Sequence, residues 1–110
     1  MFRRIDERTL VAGQIRPEDV ESAKAEGVTM IVNNRPDGEE PGQPLAAEIE
    51  QAARAAGLDY RFIPIERTID ADQVAALEEA YTQTTGDLLL FCRSGTRSSY
   101  LWAAARQRQR

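Results

Sequence analysis

The chain contains one cysteine, Cys92, and it opens the segment Cys-Arg-Ser-Gly-Thr-Arg-Ser, whose groups suit a reactive thiolate. An apolar run, residues 88–91, comes directly before it, so Cys92 is predicted at the carboxyl tip of a buried strand. Gly95 gives the backbone the freedom that a sharp turn into a helix requires. Loop amides, a helix N-terminus and Arg97 can then surround an anion and lower the pKa of the thiol. The spacing predicts a nucleophilic thiolate that meets an oxyanion.

Each residue of this segment has a predicted role in catalysis, binding or capping. Cys92 is the nucleophile, Arg97 folds back to bind the anion, and Arg93 assists at the rim. Ser98 and Ser99 are predicted N-cap hydroxyls, and Ser98 is also predicted to donate to the sulfur. A cysteine after an apolar strand is often only a small buried hydrophobe, but packing gives no reason for two arginines and a turn to follow it. The other predicted substrate contacts are Ser94, Gly95 and Thr96.

Composition excludes several classes of mechanism. The chain has no histidine, so it cannot itself supply a Ser-His-Asp or Cys-His pair or a histidine metal ligand. One cysteine excludes an internal disulfide and a cysteine-rich zinc site, and no metal or cofactor is expected. The net charge of −4 argues against a nucleic-acid partner. With no signal peptide and no apolar run near the ~20 residues of a membrane span, a cytoplasmic protein is expected.

Apolar periodicity predicts alternating helices and strands. Strands are predicted at 28–33, 60–65 and 88–91, with a more ambiguous one at 9–12. Helices are predicted to begin near Pro17, at Pro44, at Asp70 or Asp72, and after the cysteine loop, while the arginine-rich residues 106–110 are predicted to be a solvated helix end. This order predicts one domain over residues 1–110, an α/β fold of three α/β/α layers around a mostly parallel sheet of four to five strands.

Ligands bind at the carboxyl ends of the strands in such folds, and a second polar loop, residues 33–42, is predicted there beside the cysteine loop. Arg35 of this loop is predicted to contact the same anion, with an ion pair to Asp37, Glu39 or Glu40 as the alternative. Asn33 and Asn34 are predicted to satisfy backbone groups of the loop.

Chemistry on a phosphate ester would also need an acid to protonate the leaving oxygen. Asp37 is the first candidate because Pro36 and Gly38 shape its loop, although Pro-Asp-Gly is also an ordinary turn sequence. Asp70 and Asp72 are the other candidates.

The cysteine segment resembles the active-site loop of rhodanese-type sulfurtransferases and the phosphate-binding loop of cysteine-dependent tyrosine and dual-specificity phosphatases. Four residues separate Cys92 from Arg97, which is the rhodanese spacing, whereas the phosphatase loop has five. The whole chain, over residues 3–105, is similar to the bacterial beta-lactamase hydrolase-like, phosphatase-like domain, also described as the DUF442 sulfur transferase family. That resemblance rests on residues 33–39 and 91–98 together, and it implies a dual-specificity-phosphatase-like scaffold.

Three functions remain open, all with a small anionic partner and with the oligomeric state undetermined. The first is a sulfurtransferase that forms a persulfide on Cys92 from thiosulfate or a low-molecular-weight persulfide, a step that needs no histidine. The second is a phosphatase that acts on phosphomonoesters through a phosphocysteine. The third is a non-catalytic module that binds an anion, and the intact cysteine disfavours it.

Overall fold

A five-stranded mixed sheet forms the centre of the protein, and the computed structural model describes residues 1–108. Its strands are β1 (Arg3–Asp6), β2 (Thr9–Ala12), β3 (Val28–Asn33), β4 (Asp59–Phe62) and β5 (Asp87–Phe91). The spatial order is β1-β2-β5-β3-β4, in which β1 pairs antiparallel with β2 and every other pair is parallel. The predicted strand at 9–12 is thus confirmed. The sequence analysis missed β1 because its polar residues lie on an exposed edge.

Four α-helices connect and cover the strands: α1 (Val20–Ala25), α2 (Ala46–Ala55), α3 (Ala71–Gln83) and α4 (Thr96–Arg108). A short 3₁₀ turn at Pro17–Asp19 leads into α1. Asp70 caps α3, as predicted, because its carboxylate accepts the Gln73 amide. Arg106 and Arg108 form ion pairs with Asp6 and Glu78, and the last two residues of the predicted solvated tail lie outside the described residues.

The buried apolar residues fall into two clusters, one on each face of the sheet. Alternate residues of β5 supply both, since Leu89 and Phe91 join the cluster with α1 and α2, and Leu88 and Leu90 join the one with α3 and α4. A strand buried on both faces reads as a continuous apolar run, as residues 88–91 do. The predicted three layers are therefore confirmed.

The carboxyl ends of β3 and β5 lie side by side and position both polar loops. Asn34, directly after β3, is fully buried and ties them together. Its amide donates to the Phe91 carbonyl at 2.8 Å, its Nδ2 donates to the Ile63 carbonyl at 2.9 Å, and its Oδ1 accepts from the Ser98 hydroxyl at 2.7 Å. As predicted, both asparagines serve the loops, since Asn33 Oδ1 accepts the Arg35 amide.

Candidate active site

The cysteine loop starts where β5 ends, and it encloses a fully buried thiol. The Gly95 amide donates to Cys92 Sγ over 3.1 Å, which requires the loop to turn back over the sulfur at once. Gly95 makes this turn with φ +93°, and a Cβ there would lie 3.1 Å from Val11 Cγ1. The loop therefore has its shape because a glycine fits between the sulfur and β2.

A second close contact, between residues 13–14 and the Arg93 carbonyl, also holds the cysteine loop in place. The Gln14 amide donates to the Arg93 carbonyl at 3.2 Å, and a Cβ on Gly13 would lie 3.0 Å from that carbonyl oxygen. Gly13 and Gln14 follow directly after β2. In the structure they support the cysteine loop.

Opposing effects set the pKa of Cys92. Burial is the largest single one, and it raises the pKa because it disfavours the charged thiolate. Hydrogen bonds from the amides of Ser98, Ser94 and Gly95, together with the adjacent Ser98 hydroxyl group, act in the other direction. Together they outweigh burial, so the pKa of the thiol lies below its usual value. Of the causes that the sequence predicts, the loop amides are the ones that lower the pKa of Cys92 here.

The capping role predicted for Ser98 and Ser99 is wrong. Helix α4 begins at Thr96, so both serines lie inside it. The buried Ser98 hydroxyl is next to the sulfur but donates to Asn34, and the Ser99 hydroxyl donates back to the Gly95 carbonyl at 2.9 Å. At the exposed rim, the hydroxyls of Ser94 and Thr96 lie 3.0 Å apart.

Arg97 is held over the loop by a carboxylate and a carbonyl. Glu39 accepts from Nη1 at 2.7 Å and from Nη2 at 2.8 Å, and the Ile65 carbonyl accepts from Nη1 at 2.7 Å. These bonds use three of the five guanidinium N–H groups. The two that remain, on Nε and Nη2, share one edge of the group, which is a geometry suited to two oxygens of an anion.

The charges of this cluster stabilise each other. The hydrogen bond from Arg97, aided by Arg35, lowers the pKa of Glu39 to about 2 against the effect of burial. Glu39 in turn raises the pKa of Arg97, and the adjacent Cys92 thiolate contributes to the same shift. Arg97 therefore lies against the sulfur as a permanent cation.

Arg35 is buried, with 1% of its surface exposed, and each of its three guanidinium nitrogens donates one hydrogen bond. Nε donates to Glu39 at 2.9 Å, Nη2 donates to Glu40 at 3.1 Å, and Nη1 donates to Gln14. The structure thus shows the ion pair that was the alternative for Arg35, and its direct contact with an anion stays a prediction. Arg93 is exposed at the rim, 3.7 Å from Glu40.

The three candidate acids do not surround the thiol. Asp37 accepts the Ala46 amide at 2.7 Å at the start of α2, and Asp70 caps α3. Asp72 lies in the exposed first turn of α3. The acid role of Asp37 stays a prediction, and the structure gives its carboxylate a second use at a helix N-terminus.

A groove of about 580 Å³ lies beside Arg97, between the loops that follow β3 and β4. Two of its wall segments are close in the chain to the partners of Arg97, since Asp37 precedes Glu39 by two residues and Ile65 lies between groove residues Pro64 and Glu66. Its walls are formed by Pro36, Asp37, Phe62, Pro64, Glu66, Arg67, Thr68, Asp70 and Gln73.

Sequence reasoning missed the importance of Glu39. It named this residue only as one of three partners for Arg35, because a glutamate after Pro-Asp-Gly is typical of a solvated loop. The position of Glu39 could have indicated its role, because two consecutive acids follow Arg35, which is predicted to lie at the carboxyl edge of the sheet.

Two negative findings apply to residues 1–108. No group of three or more Cys, Asp or Glu side chains in this range could hold a metal ion. No helix in the same range is long and apolar enough to cross a membrane.

The sequence of this chain matches one family model and several curated proteins. The family model for the beta-lactamase hydrolase-like protein, phosphatase-like domain, matches residues 1–108. A beta-lactamase hydrolase-like protein of Agrobacterium fabrum is 42% identical over 90% of this chain, and the match covers 23% of that protein. The chain thus spans about a quarter of the length of the curated relatives it matches.

Solved structures give the same architecture. A Neisseria meningitidis protein described as a candidate phosphatase is 33% identical, with a TM-score of 0.84 over 94% of this chain and 74% of that one. A Shewanella putrefaciens protein, described as a candidate phosphatase of the DUF442 group, also has a TM-score of 0.84, at 22% identity, over 98% of this chain and 68% of its own. The protein-tyrosine-phosphatase-like α/β fold is therefore confirmed. With its phosphatase-like fold and its match from end to end of the described residues, the chain belongs to the family of the beta-lactamase hydrolase-like protein, phosphatase-like domain.

Proposed function

We propose that the protein is a cysteine-dependent phosphatase that hydrolyses phosphomonoesters through a phosphocysteine on Cys92. The observation that carries the proposal is the pairing of a thiol of lowered pKa with the free edge of the Arg97 guanidinium. The phosphatase-like fold of the family supports it. The substrate is accordingly a small anion, a phosphate ester.

The first step is attack of the Cys92 thiolate on phosphorus. The sulfur–phosphorus bond forms as the bond to the leaving oxygen breaks, and that oxygen takes a proton. Negative charge on the phosphoryl oxygens is stabilised by the loop amides and by the two Arg97 N–H groups that Glu39 and Ile65 leave free. Water then attacks the phosphocysteine and releases phosphate and the thiolate.

Glu39 has a positioning part in this scheme. Its two oxygens fix the plane of the Arg97 guanidinium before a substrate arrives. An arginine that is already oriented loses little conformational freedom when it binds an anion, which favours both binding and catalysis.

Sulfur transfer on the same thiolate is the second candidate. The observation that favours it is the loop length, since four residues between Cys92 and Arg97 provide one amide fewer than the five-residue phosphatase loop. The thiolate would attack the outer sulfur of thiosulfate or of a persulfide, and sulfite or a thiolate would leave without a proton. A thiol or sulfite would then take the sulfur from the Cys92 persulfide.

A paired assay separates the two. Phosphate release from an aryl phosphate and sulfur transfer from thiosulfate and glutathione persulfide are measured with the wild type, Cys92→Ser and Arg97→Ala. Arg54→Ala is the matched control, because Arg54 is exposed on α2 and pairs with Glu50 there. We expect phosphate release that both site variants lose and the control keeps, with phosphocysteine detected by mass after rapid acid quench. Sulfur transfer without phosphate release would replace the phosphatase proposal with the second candidate.

A further inference from the structure

The groove beside Arg97 contains three carboxylates, and their surroundings differ. Asp37 accepts the Ala46 amide at the start of α2 and Asp70 accepts the Gln73 amide at the start of α3. Glu66 is exposed, and its carboxyl makes no hydrogen bond or ion pair with any residue between 1 and 108. It is the one groove carboxyl that can exchange a proton without disturbing a helix terminus.

The position of Glu66 is fixed by its neighbour in the chain. The Ile65 carbonyl accepts from Arg97 Nη1 at 2.7 Å, and Ile65 itself is fully buried. The backbone that leads to Glu66 is therefore anchored on the guanidinium that binds the anion. The side chain attached at this point, one methylene longer than aspartate, lines the groove.

The wall of the groove also includes an apolar side chain that the fold leaves exposed. Phe62, the last residue of β4, is 44% exposed, and Pro36 and Pro64 lie along the same groove. An exposed aromatic ring in a concave site is suited to stacking against a flat organic group.

On the basis of the phosphatase function proposed above, we infer that this groove binds the organic part of an aromatic phosphomonoester and that Glu66 protonates its leaving oxygen. As the phosphorus–oxygen bond breaks, the proton of the Glu66 carboxyl passes to the leaving oxygen, which yields a phenol and a carboxylate. The carboxylate then takes a proton from the water that attacks the phosphocysteine, and this restores the acid.

The test compares leaving groups, because an acid matters most where the leaving oxygen is basic. For Glu66→Gln we expect kcat/KM to fall about 100-fold to 1,000-fold on phenyl phosphate. On dinitrophenyl phosphate, whose phenolate leaves without a proton, we expect a fall below about fivefold. Asp37→Asn is the rival variant, and it should reduce activity on both esters to the same degree. Glu21→Gln, an exposed acid of α1 outside the groove, is the control and should leave both rates unchanged.

The apolar wall is tested separately. Phe62→Ala should raise KM for phenyl phosphate about threefold to tenfold and leave KM for acetyl phosphate, which has no ring, unchanged. Leu45→Ala is the matched control, since Leu45 is a similarly exposed apolar residue that does not line the groove.

The outcomes distinguish this inference from the proposed function. An equal loss on both esters in Glu66→Gln, or a leaving-group dependence that appears in Asp37→Asn instead, overturns the role of Glu66 while the phosphatase stands. An equal KM change for both substrates in Phe62→Ala overturns the aromatic subsite. No phosphocysteine and no phosphate release in the wild type would overturn both proposals.

Discussion

Glu39 binds both terminal nitrogens of Arg97, although the two residues lie 58 positions apart in the chain. The pair links the two loops at the carboxyl edge of the sheet. It also leaves one edge of the guanidinium for an anion. We therefore expect the chemistry of Cys92 to depend on a carboxylate that does not contact the sulfur.

Replacement of Glu39 by glutamine tests this dependence. Glutamine has one acceptor oxygen where glutamate has two, and its NH₂ group would face one of the Arg97 nitrogens, so the guanidinium loses its fixed plane. We expect kcat to fall between about 10-fold and 100-fold, the effect of a small misplacement of a binding group. Steady-state kinetics of aryl phosphate hydrolysis check it, with Glu48→Gln as control because Glu48 lies in the first turn of α2. Wild-type kcat in Glu39→Gln would remove Glu39 from the mechanism.

The same pair predicts an acid-sensitive contribution to stability. The folded pKa of Glu39, about 2, is below its ordinary 4.5, so its ionisation stabilises the fold above pH 4.5. This contribution is lost progressively as the pH falls from 4.5 towards 2. In urea unfolding, the difference in free energy between the wild type and Glu39→Gln should be largest above pH 4.5 and shrink below it. A difference that does not vary with pH would contradict the assignment.

The thiol of Cys92 should react as a thiolate at lower pH than free cysteine does. The rate of iodoacetamide alkylation against pH gives the apparent pKa, which we expect below the ordinary value of 9.0. Ser98→Ala removes the hydroxyl group next to the sulfur, one of the groups that lower it. We expect its alkylation rate at neutral pH to fall up to about 10-fold, because a smaller fraction of the thiol is ionised. Ser99→Ala, whose hydroxyl bonds to the Gly95 carbonyl, should behave as the wild type. An apparent pKa at or above 9.0 in the wild type would be incompatible with donors aimed at the sulfur.

Alanine substitutions at two glycines with positive φ distinguish the effect of backbone strain on stability from the effect of loop shape on activity. Gly95→Ala combines a strained backbone with a Cβ 3.1 Å from Val11 Cγ1, whereas Gly57→Ala has the strain with nothing within 4 Å. Each should lose about 1–2 kcal/mol of stability from backbone strain. Only Gly95→Ala should also lose most of the activity, because its loop must shift away from the sulfur. Thermal melts and activity of both variants check this, and equal activity in the two would show that the loop tolerates the shift.

We expect truncation of Arg35 to lower the free energy of unfolding substantially. Arg35→Met removes a buried guanidinium that donates to Glu40 and Gln14, and it leaves Glu39 with Arg97 as its remaining partner. We expect a loss of about 2–4 kcal/mol in urea unfolding, near the lower end for buried pairs since the carboxylates are partly exposed. Arg54→Met, which breaks only exposed pairs, should cost less than about 1 kcal/mol. Similar losses in the two variants would show that the buried network adds nothing.

The sequence predicts the cysteine loop well because its determinants are local. An apolar strand, a cysteine, a glycine and an arginine follow each other within residues 88–97, and strand, turn and helix are read from neighbours in the chain. The capping role of Ser98 failed for a non-local reason, namely that its hydroxyl faces inward to Asn34.

The rest of the site depends on contacts between distant segments. Glu39 and Ile65 reach Arg97 only after β3, β4 and β5 have aligned in register. Every residue has a backbone carbonyl, so the contact of the Ile65 carbonyl with Arg97 cannot be predicted from the residue type. β1 was missed because strand propensity is weak where one edge faces water.

Asn34 has a consequence for attempts to move this chemistry elsewhere. Its three bonds join the end of β5, the segment after β4 and the first turns of α4. A graft of residues 92–98 into another α/β scaffold would bring the thiol and the arginine but not the group that orients Ser98. We expect the cysteine of such a graft to have the reactivity of a free thiol unless the segment around Asn34 is transplanted with it. The reactivity of Cys92 therefore depends on both loops together.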